Sequence, residues 1–496
     1  MKPRYLLAID QGTTGSTVMV FDDAGRVCSR AYSEFKQYYP KPAWVEHDPA
    51  EIWTVTRGLL AKAVRGAGIT ATQLAGIGIT NQRETVVVWD RKTGNPVYHA
   101  LVWQDRRTAD YCAQLRAAGH EKMIRRKTGL VIDPYFSATK IRWLLNNVRG
   151  LRKRAERGEL AFGTIDSWLI YKLTGGTVHA TDHTNASRTL LYDIRKQGWD
   201  DDLCKLFEVP REMLPEVRNS AGDFGETARG IFGNAAVPIA GVAGDQQAAL
   251  FGQACFKPGL VKNTYGTGCF LLMYLGDKPV ASKNQLLTTL ACAADGSPAY
   301  ALEGSVFIAG AAVQWLRDGL RVIKKAGETD AVARSVDSTL GTYVVPAFAG
   351  LGAPYWDADA RGAVIGLTQG VKAEHLVRAT LESLAYQTRD LVEAMVADSG
   401  KKLRMLRVDG GASANDFLMQ FQADILGTRV ERPEVIETTA AGAAFLAGVG
   451  TGVFKSGRDV ESAFRLNKEF KPKMRPAERK TLYAGWTEAV ARVRTK

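Results

Sequence analysis

The sequence predicts an α/β protein built from two related domains, and three observations carry that reading. Residues 6–9 form an apolar run that breaks into Asp10-Gln11-Gly12-Thr13-Thr14-Gly15-Ser16 and resumes over 18–21, the pattern of a buried strand, a turn and a hairpin partner. The same design returns over 260–272, with Tyr265-Gly266-Thr267-Gly268 as the turn. Strand patterns alternate with helix patterns around each copy. One unit repeated in the two halves of a chain indicates duplication. The expected halves are 1–250 and 251–496, within the two or three domains that 496 residues suggest. Hydrophobic residues make up 46%, enough for a large core.

The opening turn is rich in uncovered backbone N–H groups and threonine hydroxyls, which suits a chain of phosphates. Asp10, at the strand end, is placed to hold a hydrated magnesium ion. The same residues would also serve a plain tight hairpin. A polar strand follows over 26–33. Asp48-Pro49 starts a helix running to about 64, with Asp48 as cap and Pro49 in the first turn. Strands over 74–80 and 86–89 flank Asn81-Gln82-Arg83-Glu84. In a strand Arg83 and Glu84 would point to opposite faces. In a turn they can converge on one ligand, or form a surface ion pair.

Trp103 precedes a helix, and 129–135 is an apolar loop containing Pro134. The basic stretch 142–157 carries Trp143, Leu144 and Leu145 at helical spacing and reads as a solvated helix face. His179 and His183 are four apart, but the Thr, Val and Gly around them disfavour the helix that a metal pair needs. An apolar strand over 237–242 runs into Gly244-Asp245-Gln246-Gln247, where Asp245 can cap a helix. Later come a Gly/Pro-rich loop over 344–354 and a long helix over 374–397. A strand over 403–408 enters Asp409-Gly410-Gly411, and a helix covers 416–426. The small-residue run 438–452 allows close helix packing. A basic amphipathic helix over 479–493 ends the chain.

Several function classes are excluded. The start of the sequence lacks the apolar region of a signal peptide, and no apolar run approaches the ~20 residues of a membrane span. Six cysteines without CxxC spacing argue against zinc and fit a reducing compartment, so a soluble cytoplasmic protein is expected. The net charge of +13 suits anionic ligands such as nucleotides, and no nucleic-acid motif accompanies it. No strand is followed by GxGxxG, and GxxxxGK[ST] is missing.

Asp10-Gln11-Gly12-Thr13-Thr14, Gly244-Asp245-Gln246-Gln247, Tyr265-Gly266-Thr267-Gly268 and Asp409-Gly410-Gly411 together resemble the FGGY carbohydrate kinases. That family has the actin and heat-shock ATPase fold: two related ribonuclease H-like domains with a nucleotide cleft between them. Ile79-Thr80-Asn81-Gln82-Arg83-Glu84-Thr85, Asp133-Pro134-Tyr135, Asn185-Ala186-Ser187-Arg188-Thr189 and Val345-Pro346-Ala347-Phe348 are most similar to members that phosphorylate glycerol. The resemblance implies transfer of the γ-phosphoryl of ATP to glycerol, giving sn-glycerol 3-phosphate. It gives Arg83, Glu84, Tyr135, Asp245 and Gln246 the holding of glycerol, with Trp103 and Phe270 facing its carbons. Asp245 becomes the base, and Asp10 with Asp245 places Mg²⁺. Thr13, Thr14 and Gly15 meet the phosphates from one side and Thr267 from the other. Gly310, Gln314, Gly411 and Asn415 form the nucleotide pocket. A homodimer or homotetramer is implied.

The sequence departs from the family pattern at three places. Thr17 stands where many relatives carry an arginine that touches the nucleotide. Residues 225–238 lack the Gly-Gly-x-Arg loop of fructose-bisphosphate inhibition, with Ala236 in the arginine's place, and lack the histidine that some relatives phosphorylate. Residues 472–479 do not match the contact site of the sugar-phosphotransferase regulator. The resemblance thus implies that these controls are absent. Two alternatives stand beside the glycerol reading: a kinase for another polyol or sugar, such as xylulose, and an ATP-driven binding protein of the same fold.

Overall fold

The computed structural model describes residues 4–495. Two sheets organise them. In the first, Tyr5–Gln11 pairs antiparallel with Gly15–Asp22, which pairs antiparallel with Val27–Glu34. On the other side of Tyr5–Gln11 lie Leu74–Asn81 and then Ile239–Gly244, both parallel. In the second sheet Leu260–Tyr265 pairs antiparallel with Cys269–Gly276, and that strand with Pro298–Val306. Met405–Asp409 and Val430–Pro433 continue in parallel on the other side. Five strands in each sheet thus share one order and one set of directions, the relation that the repeated hairpin predicts. The second sheet gains an edge strand at each end, Leu287–Cys292 and Leu466–Phe470, to make seven.

Alternation along the strands explains the layers. Leu7, Ile9, Val18 and Val20 face one way and pack on Ile52, Leu59, Leu60 and Ala63 of the helix Pro49–Gly66. Asp48 caps that helix by accepting from the Ala50 N–H at 2.8 Å. Leu6, Ala8, Met19 and Phe21 face the other way, onto Ala440, Ala443, Ala444 and Ala447. These belong to Thr438–Gly450, the small-residue helix, which therefore comes from the second half of the chain and covers the first sheet. Its packing requires glycine on the sheet strands that it covers. A Cβ on Gly78 would strike the Ala443 carbonyl, and one on Gly241 the Ala447 amide, both far inside 3.0 Å.

The last helix begins at Pro476, three residues before its expected start, because a proline fits the first helical turn. The strands Leu287–Cys292 and Pro298–Val306 are buried along nearly their whole length, so the sequence shows no alternation that marks them.

His179 and His183 do not form a pair. His179 donates from Nε2 to the Phe162 carbonyl at 2.7 Å, and Arg91 lies 3.2 Å from Nδ1. His183 Nδ1 lies 2.6 Å from the Tyr192 hydroxyl. His47 is buried between Gln37 at 2.6 Å and Gln82 at 3.4 Å. Burial, and then the nearby His99, pulls His47 down to about 3. Burial pulls His179 down to about 4, with Arg91 adding to it against the Phe162 bond. Both rings fold neutral. Between the folded and unfolded values the unfolded chain binds more protons, so stability falls as pH falls below about 6.5. Each ring removes up to ~1.4 kcal/mol per pH unit over that window. Urea unfolding at roughly pH 6.5 and roughly pH 4.5 measures this; equal stability at both would refute it.

Candidate active site

The site forms where the parallel strands of the first sheet end. Leu74–Asn81 runs into Gln82-Arg83-Glu84-Thr85, a turn that is fully buried rather than exposed. Glu84 has φ +60°, an unusual conformation for a residue with a side chain, so Arg83 and Glu84 are not splayed as in a strand. Arg83 reaches across the end of Ile239–Gly244. Gly244 permits this, since a Cβ there would lie 2.8 Å from the Arg83 stem. Asp245 follows as the first residue of the helix Asp245–Gly252, so Gly244 and not Asp245 is the capping residue. Its carboxylate is about one-third exposed and lies 3.1 Å from Arg83 Nε, and it accepts from the Gln246 N–H at 2.7 Å.

Further polar and aromatic residues gather around Arg83 and Glu84. Gln246 Oε1 accepts a short hydrogen bond from Lys262, whose ammonium also donates to Thr264 at 2.8 Å. Phe270 sits opposite Thr264 on the antiparallel partner strand, half-buried. Glu84 accepts from Arg188 Nε at 2.7 Å. Burial pushes Glu84 up, against the pull of Arg83 and Arg188. The Tyr135 and Trp103 rings meet edge to face at 5.5 Å. Burial raises the Tyr135 hydroxyl well above its usual range, so it stays a neutral donor and acceptor. Lys140 fixes the Tyr135 loop by donating to the carbonyls of Pro134, Tyr135 and Phe136. Trp103 Nε1 donates to Thr13 Oγ1 at 2.9 Å, which ties the polar site to the opening hairpin.

That hairpin closes through the Gly12 N–H on the Gly15 carbonyl at 3.0 Å. A Cβ on Gly15 would lie 2.7 Å from the Tyr32 ring. Thr14 is exposed and Thr17 half-exposed. Asp10 pairs in register with Thr17 on one side and Thr80 on the other. Burial, then the charges of Asp245 and Glu437, push Asp10 up to about 7, against Arg30. The buried Thr80 hydroxyl beside it has no partner. Two mutually repelling carboxylates beside an orphan hydroxyl fit a hydrated divalent cation, since Mg²⁺ takes one or two carboxylates and keeps its waters. No group of three or more His, Cys, Asp or Glu gathers as a metal site among the described residues.

A cavity of about 380 Å³ opens beyond the second hairpin. Thr267, Gly310, Gln314, Gly411 and Asn415 all line it, with Tyr265, Thr329 and Leu381. Gly310 is required: a Cβ would lie 2.6 Å from the Gly266 carbonyl, which accepts the Gly310 N–H. Gly411 is different, for a Cβ there would meet no protein atom within 4 Å and would stand in open space. The Asn415 side chain is spent on the fold, capping Leu418 at 2.9 Å and donating to Thr329 at 3.0 Å. Thr13, Thr14, Gly15 and Thr17 do not line this cavity.

Sequence reasoning missed three charged residues of the site. Arg188 lay in a noted motif without a task. Lys262 and Glu303 were not singled out, although each is a lone charge inside an apolar strand. Glu303 lies on Pro298–Val306, is buried, and takes Arg83 at 2.6 and 3.0 Å and Arg188 at 3.0 Å.

Comparison with known proteins fits this geometry. Residues 5–252 match the N-terminal domain of the FGGY family of carbohydrate kinases, and 261–451 its C-terminal domain. The chain is 59% identical to the glycerol kinase of Deinococcus radiodurans over 491 residues, 99% of this chain and 98% of that one. It is 57% identical to a glycerol kinase of Listeria monocytogenes over 490 residues, 99% of each. The crystal structure of Plasmodium falciparum glycerol kinase with ADP superposes with a TM-score of 0.93 at 38% identity, covering 99% of this chain and 98% of that one. A Lactobacillus acidophilus gluconate kinase, at 21% identity and TM-score 0.88 over 99% of both chains, shares the fold.

Proposed function

Since the chain belongs to the FGGY family of carbohydrate kinases, we propose that it transfers the γ-phosphoryl group of ATP to glycerol, giving sn-glycerol 3-phosphate and ADP. The observation that carries this reading is the meeting of Arg83, Glu84 and Asp245 beside the Trp103–Tyr135 aromatic pair. A neutral triol offers hydroxyls along one side and C–H groups along the other. Arg83 donates to those hydroxyls, Glu84 accepts, and Tyr135 and Gln246 can do either. Trp103 and Phe270 cover the carbons. Asp245 takes the proton as the hydroxyl oxygen bonds to phosphorus and the bond to the ADP oxygen breaks. Phosphoryl transfer passes through a loose transition state, so placement and charge neutralisation outweigh proton removal.

Thr13, Thr14, Gly15 and Thr17 on the first hairpin and Thr267 on the second would hold the phosphates. Gly310, Gln314, Gly411 and the Asn415 backbone would line the adenosine pocket, where the bare Gly411 leaves room for the base. Asp10 and Asp245 would hold Mg²⁺, which neutralises charge on the phosphates when bound. A reducing, cytoplasmic setting accords with six cysteines that are all free.

ADP release from ATP, measured with glycerol, xylulose, gluconate, ribitol and no polyol, tests the reading. Turnover should depend on glycerol, and a diol lacking one hydroxyl should lose up to ~10⁴-fold in kcat/KM because buried polar groups lose partners. A preference for another polyol, or ATP turnover indifferent to any, would overturn it.

A further inference from the structure

Arg83 and Glu84 lie on the turn that follows a strand of the first sheet, yet the carboxylate that grips Arg83 comes from the second. Glu303 stands on Pro298–Val306 of the seven-stranded sheet, 220 positions from Arg83 along the chain. Its Oε2 accepts from Arg83 Nη1 at 2.6 Å, while Oε1 accepts from Arg83 Nη2 and Arg188 Nη2, both at 3.0 Å. Arg188 in turn holds Glu84 at 2.7 Å. All four side chains are at most 3% exposed. Burial alone would raise the Glu303 carboxyl, but the Arg188 and Arg83 guanidiniums overcome this and hold it down to about 2. The carboxylate is therefore charged and spends both oxygens on two arginines.

A two-pronged carboxylate grip fixes a guanidinium in plane as well as in place. With both Arg83 terminal nitrogens gripped, its Nε faces Asp245 at 3.1 Å. With Arg188 gripped, Glu84 has one position. We propose that Glu303 is a positioning residue for substrate recognition, holding Arg83 directly and Glu84 through Arg188 so that the pair reads the hydroxyls of the polyol. This rests on the glycerol-kinase reading. It makes polyol recognition depend on the packing of the second sheet against the first.

The test is steady-state kinetics of the whole enzyme with Glu303→Gln and Glu303→Asp. Gln keeps the shape, but only its carbonyl oxygen can accept, and its amide opposes a guanidinium. Asp keeps the charge and falls short by one methylene. For Glu303→Gln the KM for glycerol should rise about 10²-fold, with the KM for ATP unchanged. For Glu303→Asp it should rise about tenfold. In both, the preference for glycerol over 1,2-propanediol should narrow, which a purely structural charge would not cause. If Glu303→Gln fails to fold, Glu303→Asp decides alone. An unchanged glycerol KM and an unchanged preference in the folded variant would overturn the proposal. A wild-type enzyme that ignores glycerol would instead overturn the functional reading beneath it.

Discussion

Asp245→Asn is expected to lower kcat by roughly 10²–10⁴-fold while the midpoint of thermal unfolding stays within about 2 °C. The asymmetry follows from where the side chain sits. Asp245 is the first residue of its helix and about one-third exposed, so it is no part of the packed core. An asparagine oxygen can still accept from the Gln246 N–H, the hydrogen bond that the carboxylate makes, and can still lie beside Arg83 Nε. What disappears is the negative charge. That charge is what the proposed mechanism uses to accept the hydroxyl proton and to share a cation with Asp10. Kinetics at saturating ATP and glycerol, paired with a melting curve, separate the two effects. A variant with full kcat would refute the assignment of the base. A variant that melts far below the wild type would show that the carboxylate also supports the fold. Raising the Mg²⁺ concentration divides the loss further, since only the cation-binding share recovers.

Much of this site was legible because its parts are local. Arg83 and Glu84 adjoin, as do Asp245 and Gln246, and both pairs follow a strand whose apolar alternation marks its end. The hairpin at 11–15 and its repeat at 265–268 carry their turn chemistry within a few residues. The partners that fix those parts were not legible. Glu303 meets Arg83 only because two sheets pack, and Lys262 meets Gln246 across 16 residues and two elements. A lone charge in an apolar strand announces that a partner exists and says nothing of which one. The role of Asn415 shifted for a similar reason: its place in the cavity wall was expected, but its side chain is consumed by the cap of the next helix. The run 438–452 was readable as a close-packing helix, yet nothing in it names the first sheet as its neighbour.

That helix supplies the largest stability effect, and one substitution made at two sites isolates its cause. Gly442→Ala is expected to destabilise the protein by about 3 kcal/mol or more, at or above the usual range for overpacking. By helix propensity alone it should stabilise by ~1 kcal/mol, because alanine is the better helix former. Packing decides the sign. A Cβ on Gly442 would strike the Ala248 carbonyl and the Gly252 amide, backbone atoms that no rotamer change can move aside. Gly58→Ala is the matched control. It lies in the exposed face of Pro49–Gly66, and a Cβ there meets nothing within 4 Å. That variant should gain up to ~1 kcal/mol. Urea unfolding of both measures the difference, and a neutral or stabilised Gly442→Ala would refute the close approach of the two helices. The loss should also reach the chemistry. The helix that would be pushed away is Asp245–Gly252, which carries the proposed base on its first residue, and a shift of about 1 Å at a reacting group can cost ~10²-fold in rate. Gly442→Ala should therefore lose kcat even at temperatures where it remains folded, whereas Gly58→Ala should keep it.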